Sequence, residues 1–96
     1  MTRYRLDFDE DVAKELTDPR RYTAKVARQL LVKIVELASN PRPQDHIQLR
    51  DGFRVDSGEH RIYYEMDDRQ RVVTAWLVGP RNDDAIYKEL GRKLGK

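Results

Sequence analysis

Between Phe53 and Val78 the chain alternates apolar and polar residues across two turn signals, a pattern that fits a β-meander and no helix. Ser57-Gly58 separates Phe53–Asp56 from His60–Tyr64, and Asp67-Asp68-Arg69-Gln70 separates Tyr63–Met66 from Val72–Val78. Alternate residues of a strand share a face. Phe53, Val55, Ile62, Tyr64, Val73, Ala75 and Leu77 are therefore expected on a core face, with Arg54, Arg61, Tyr63, Glu65 and Trp76 on the other. If the first loop is Ser57-Gly58, or runs from Asp56 to Glu59, Val55 lies opposite His60 and Arg54 opposite Arg61. A second loop of even length sets Arg61 opposite Trp76 and Tyr63 opposite Thr74.

The remaining segments supply what covers that sheet. Tyr4, Leu6 and Phe8 alternate with charged residues as in a first strand, and Asp9 or Glu10 can open a short helix through about Leu16. Asp18-Pro19 reads as the cap and first position of a longer helix, whose apolar residues Ala27, Leu30, Leu31, Ile34, Leu37 and Ala38 have helical spacing. That helix should stop at Asn40-Pro41, because proline disfavours helix in the residue before it. After a proline-bearing loop and Ile47–Leu49 comes the meander. Asn82 can cap a last helix, with Asp83 and Asp84 at the positive end of its dipole and Ile86, Leu90 and Leu94 recurring every fourth residue. Gly91 weakens its end by roughly 1 kcal/mol relative to alanine, so fraying or docking on a partner is expected from there. The predicted architecture is α+β: a mainly antiparallel four-stranded sheet with two N-terminal helices packed on one face and a short C-terminal helix.

A chain of 96 residues holds one small domain and buries roughly 60–65 % of its unfolded surface. It has no cysteine, which removes disulfides and thiol nucleophiles and is compatible with a reducing cytoplasm. Arg3, Arg5 and Asp7 interrupt any secretory signal, and no apolar run approaches the ~18 residues of a membrane span. The expectation is a soluble cytoplasmic protein with no membrane partner. The net charge of +2 is small but uneven: residues 1 to 18 carry six acids and three bases, −3 in all, which leaves +5 for the rest. A basic surface of that kind attracts a nucleic-acid backbone, although it also fits simple solvation.

Ordinary hairpin geometry gathers Arg54, Arg61, Arg81 and Tyr87 near one end of the sheet. Like charges opposite each other across strands are destabilising, and an anion between Arg54 and Arg61 would relieve them. Arginine and tyrosine do not titrate near neutral pH, and the residues that ordinarily do are His46 and His60. His46 lies in a loop with no carboxylate at metal-ligand spacing, and His60 should point to the core edge. Glu59 and Glu65 are the carboxylates nearest the arginines. No metal motif, glycine-rich phosphate loop or serine triad is present, so neither a metal nor a cofactor is expected.

Gly58-x-x-Arg61-x-x-Tyr64, Val78-Gly79-x-Arg81 and then Tyr87 resemble the RelE branch of the RelE/ParE toxin superfamily. The likeness runs from Tyr4-Arg5-Leu6-Asp7-Phe8 through Leu37-x-x-Asn40-Pro41 to Tyr87, and it implies a single RelE-like toxin domain over 1–96. The resemblance implies a metal-independent endoribonuclease that cuts messenger RNA in the ribosomal A site through attack of the 2′-hydroxyl on the phosphate. Its implied partners are the ribosome, mRNA and a cognate antitoxin protein. Arg61 would clamp the scissile phosphate and Arg81 would stabilise the transition state or sit by the leaving oxygen. Tyr87 would accept a proton or stack, and Arg54 would match a basic residue of that site. Trp76 and Tyr63 would stack on RNA bases. Packing competes for Tyr87, next to Ile86, and for Trp76 and Tyr63. Some relatives place histidine immediately before the final tyrosine; here that residue is Ile86. The alternative from the same superfamily is a ParE-like toxin that inhibits DNA gyrase without cleaving anything.

Overall fold

The computed structural model describes residues 3–81 and 85–93. Its elements are β1 (Arg5–Phe8), α1 (Glu10–Leu16), α2 (Ala24–Ser39), β2 (Ile47–Leu49), β3 (Gly52–Ser57), β4 (His60–Asp67), β5 (Val72–Pro80) and α3 (Ala85–Lys93). The predicted capping roles of Asn82, Asp83 and Asp84, and the place of Leu94, lie outside the described residues.

Local signals account for the helix limits. Asp9 caps α1, its Oδ2 accepting from the Asp11 N–H at 3.0 Å. The cap of α2 is Thr23 rather than Asp18, with Thr23 Oγ1 accepting from Val26 N–H at 3.2 Å. Asp18 instead closes a turn: its Oδ1 accepts from Arg20 N–H at 3.0 Å and its carbonyl from Arg21 N–H at 2.9 Å. An aspartate before proline starts a turn as readily as a helix, and the connection from α1 uses it that way. α2 ends as expected, with Asn40 extended (φ −145°) ahead of Pro41.

The sheet has five strands in the order β1-β5-β4-β3-β2, not four. It is mixed, because β1 runs parallel to β5 with Arg5 opposite Val72. Two helices carry the chain from β1 back across the sheet, and a crossover of that length permits parallel pairing. The extra strand β2 pairs antiparallel with β3 across the two-residue turn Arg50-Asp51. That turn holds Arg50 at φ 56°, a conformation more usual for glycine or asparagine.

Both hairpin registers differ from expectation. The first loop is Gly58-Glu59, with Ser57 opposite His60 and Asp56 opposite Arg61. Gly58 has φ 60° at the first loop position, where a type II′ turn takes glycine. In the second hairpin Arg61 lies opposite Gly79 and Tyr63 opposite Leu77, while Tyr64 lies opposite Ala75. Trp76 is left over as a β-bulge.

The bulge reassigns the faces of β5. Val12 of α1 and Leu30, Ile34 and Leu37 of α2 pack on Val55, Ile62, Tyr64, Val73, Ala75 and Val78. Leu77, expected in that core, points the other way and joins Tyr63, Ile86 and Leu90 in a second cluster beneath α3. The sheet is thus covered on both faces. Each fully buried aliphatic or aromatic side chain here contributes roughly 1.5–3 kcal/mol.

Candidate active site

Arg61 is the centre of the polar cluster. It lies near the β3–β4 turn, on the α3 side of the sheet, with its side chain only 13 % exposed. The Arg61 Nε–H donates to Asp56 Oδ1 at 2.9 Å, and Nη1 donates to Tyr87 Oη at 3.3 Å. The guanidinium carbon stands 5.8 Å from the centre of the Tyr87 ring. Register explains the first contact, since Asp56 is directly opposite, and α3 explains the second by laying Tyr87 over that end of the sheet.

Arg54 precedes Asp56 by two residues on β3 and so shares its face. Its Nη1 stands 3.7 Å from the same Asp56 Oδ1. The two arginines are therefore bridged by a carboxylate of the chain itself. The expectation that Arg54 sits directly opposite Arg61 is corrected: Arg54 faces Tyr63, and the anion between the arginines is Asp56.

Arg81 extends the ladder past the end of β5. Its backbone N–H donates to Glu59 O at 3.0 Å, and its Nη1 to Gly58 O at 3.4 Å. By alternation from Gly79, opposite Arg61, Arg81 belongs to the same side of the sheet as Arg61. The Arg81 side chain is exposed, and among the described residues its hydrogen-bond partner is the turn carbonyl of Gly58. Among the described residues, the carboxylate paired with these guanidinium groups is that of Asp56, shared by Arg54 and Arg61. Arginine remains protonated throughout, binds phosphate oxygens in pairs and stabilises charge that develops on them.

The remaining candidates are placed differently. Tyr63 is fully buried under α3, and its Oη donates to Glu65 Oε2 at 3.3 Å. Burial, reinforced by Glu65, pushes its pKa up to about 12. An aromatic ring with no exposed surface offers no stacking platform. Trp76 is half-buried at the bulge, with Lys93 Nζ 5.8 Å from its ring centre and donating to its carbonyl at 2.9 Å. Glu65, whose pKa is raised by desolvation, lies four residues along β4 from Arg61 and pairs with Thr74. His60 packs edge-on against Tyr22 at 5.3 Å, and His46 Nδ1 lies 2.6 Å from Pro43 O. Among the described residues no three His, Asp or Glu side chains gather as metal ligands.

The chain has counterparts among known proteins. The profile of a family described as "ParE toxin of type II toxin-antitoxin system, parDE" matches residues 6–85. The chain belongs to the RelE/ParE toxin family. Within it, the mRNA interferase toxin RelE of Escherichia coli K12 is 32 % identical over 96 residues, covering 95 % of this chain and 97 % of that one. A free E. coli RelE carrying two arginine-to-alanine substitutions superposes with a TM-score of 0.74 at 29 % identity, covering 97 % and 99 % of the two chains. RelE in the intact E. coli RelBE toxin–antitoxin complex superposes with a TM-score of 0.66 at 33 % identity, covering 82 % and 98 %. The profile carries the ParE name while these relatives are RelE proteins. The match to E. coli RelE covers 95 % of this chain, whereas the profile match stops at residue 85, short of Tyr87.

Against this RelE/ParE frame, the residue that sequence reasoning missed is Asp56. A signal was available. Opposite charges facing each other across strands are favoured and like charges are not. Sliding the loop from Ser57-Gly58 to Gly58-Glu59 replaces an Arg54–Arg61 pair by Asp56–Arg61.

Proposed function

We propose that this chain is the toxin of a type II toxin–antitoxin system, a metal-independent endoribonuclease that cleaves mRNA in the ribosomal A site. The observation that carries the proposal is the Arg61 guanidinium held against the Tyr87 phenol with Arg54 alongside. It occurs in a chain similar over nearly its whole length to proteins named mRNA interferases. Attack of a 2′-hydroxyl on the adjacent phosphate builds negative charge on the phosphoryl oxygens, and cleavage needs a place for one proton to go and a source for another. Arg61 clamps the scissile phosphate, while Arg81, on its exposed rim, stabilises the developing charge or the leaving 5′-oxygen. Tyr87, which accepts a hydrogen bond from Arg61, accepts a proton or stacks on a base.

Arginine and tyrosine are weak acid–base catalysts near neutral pH, whereas well-matched groups contribute typically ~10²–10⁴-fold. Positioning has to supply more of the rate, and the ribosome is the partner that presents the codon in a reactive shape. A cognate antitoxin is the natural counterpart, given the RelBE complexes among the related structures. A second reading, a ParE-like toxin that blocks DNA gyrase, draws on the name of the matching profile.

The test uses purified protein, mRNA-programmed ribosomes and mapping of RNA ends. Codon-phased cuts are expected, and Arg81→Ala should lower the rate by roughly 10²–10³-fold. Because Arg81 is exposed, its melting temperature should stay close to wild type. Intact transcripts together with inhibited DNA supercoiling would replace the nuclease reading by the second.

A further inference from the structure

Asp56 is a carboxylate in the middle of a site that is proposed to bind an anion, and its geometry defines what it does there. Its Oδ1 takes Arg61 Nε–H at 2.9 Å, while Arg54 Nη1 stands at 3.7 Å. A guanidinium binds phosphate in pairs, either along its Nε/Nη2 side or across its Nη1/Nη2 end. With Nε occupied by Asp56, the side fork is closed. Nη1 gives one hydrogen to Tyr87, which leaves its second hydrogen and both of those on Nη2.

Resting on the reading of Arg61 as the phosphate clamp, we propose that Asp56 is a positioning residue: it grips Arg61 by Nε and reserves the end of the guanidinium for the scissile phosphate. Asp56 does this from the facing strand, where register holds its Cα directly across from Arg61. Its charge also offsets one of the three arginines, so the site does not grip RNA backbones indiscriminately. The carboxylate therefore trades ground-state attraction for a fixed clamp, which favours kcat over tight binding.

Three substitutions and one spectroscopic signal test this. Asp56→Asn keeps an oxygen for Nε–H but removes the charge; it should retain kcat within about threefold while the salt dependence of ribosome binding steepens by about one unit of log–log slope. Asp56→Ala frees Arg61, and kcat should fall roughly ten- to a hundredfold with KM unchanged or lower. Asp56→Glu, whose longer side chain mispositions the acceptor, should fall between them. Wild-type kcat in Asp56→Ala would overturn the proposal, and increased kcat would mark the carboxylate as a blocker of the site instead. The Arg61 Nε–H NMR resonance gives a readout independent of cleavage. It should stay in place and protected when the wild-type protein is titrated with inorganic phosphate, and it should lose protection in Asp56→Ala. A resonance that moves and exchanges on phosphate addition means that the anion displaces Asp56, which overturns the inference. That result decides the role of Asp56 even if wild-type protein fails to cut ribosome-bound mRNA, a failure that would count against the nuclease reading alone.

Discussion

Tyr63 shows at the scale of one side chain how burial overrides composition. Its ring is inaccessible, its hydroxyl donates to Glu65, and both burial and that carboxylate disfavour the phenolate, so its pKa rises from 10.0 to about 12. A group whose pKa is raised on folding contributes stability fully below its unfolded value and loses it as pH climbs through the folded one. Between pH 10 and about 12 the protein should therefore lose roughly 2–3 kcal/mol on this account. Tyr63→Phe should remove that part of the alkaline destabilisation, at a cost of about 1 kcal/mol near neutrality from the lost hydrogen bond. Denaturant unfolding across this pH range checks both. A component of the tyrosinate absorbance, one of five tyrosines, that titrates near pH 10 in wild type and is missing in Tyr63→Phe would mean the ring is not sealed.

At the scale of elements, the placing of Tyr87 depends on α3. Lys93 at the far end of that helix donates to Trp76 O, pairs with Asp9 and lies 3.3 Å from Asp11, with its own side chain 14 % exposed. It pins the helix to the start of α1 and to the bulge, so Gly91 does not end α3 as its low helix propensity suggests. Lys93→Met keeps the apolar stem and removes the ammonium. It should weaken α3 by about 1–2 kcal/mol, seen as faster amide exchange confined to that helix, together with a lower cleavage rate. Unchanged α3 exchange would refute the pinning role. Gly52, where β3 leaves the Arg50-Asp51 turn, has an equally local reason. A Cβ there would stand 2.5 Å from Tyr64 O and 2.7 Å from the Tyr63 ring. Gly52→Ala should lower stability by about 1–3 kcal/mol in thermal melting, since backbone on one side cannot yield.

Across the whole molecule, the two faces of the sheet are unequal. Among the described residues, the core cluster on the α1–α2 side holds ten buried residues around Ile34 and that on the α3 side four. Ile34→Ala and Leu90→Ala delete similar volumes from fully buried positions, each worth roughly 2–5 kcal/mol locally. Only the first should be felt everywhere. Native-state hydrogen exchange is expected to speed up throughout β4 and β5 for Ile34→Ala, and mainly in α3 for Leu90→Ala. Equal acceleration of the central strands by both would show a single cooperative core.

Much of this protein could be read without coordinates, because the signals are local. Asp9 before α1, Asn40-Pro41 after α2 and the alternation from Phe53 to Val78 each act within a few residues or one strand face, while the Gly58–Arg61–Arg81–Tyr87 series is legible as a family pattern. Tertiary structure decided what those signals leave degenerate. The parallel pairing of β1, the β2 edge strand and the bulge at Trp76 depend on which backbone groups remain to be paired once the helices are in place. A single turn residue more or less changes who faces whom. That is why Arg61 meets Asp56 rather than Arg54, and why the anion first inferred to come from outside is already part of the chain.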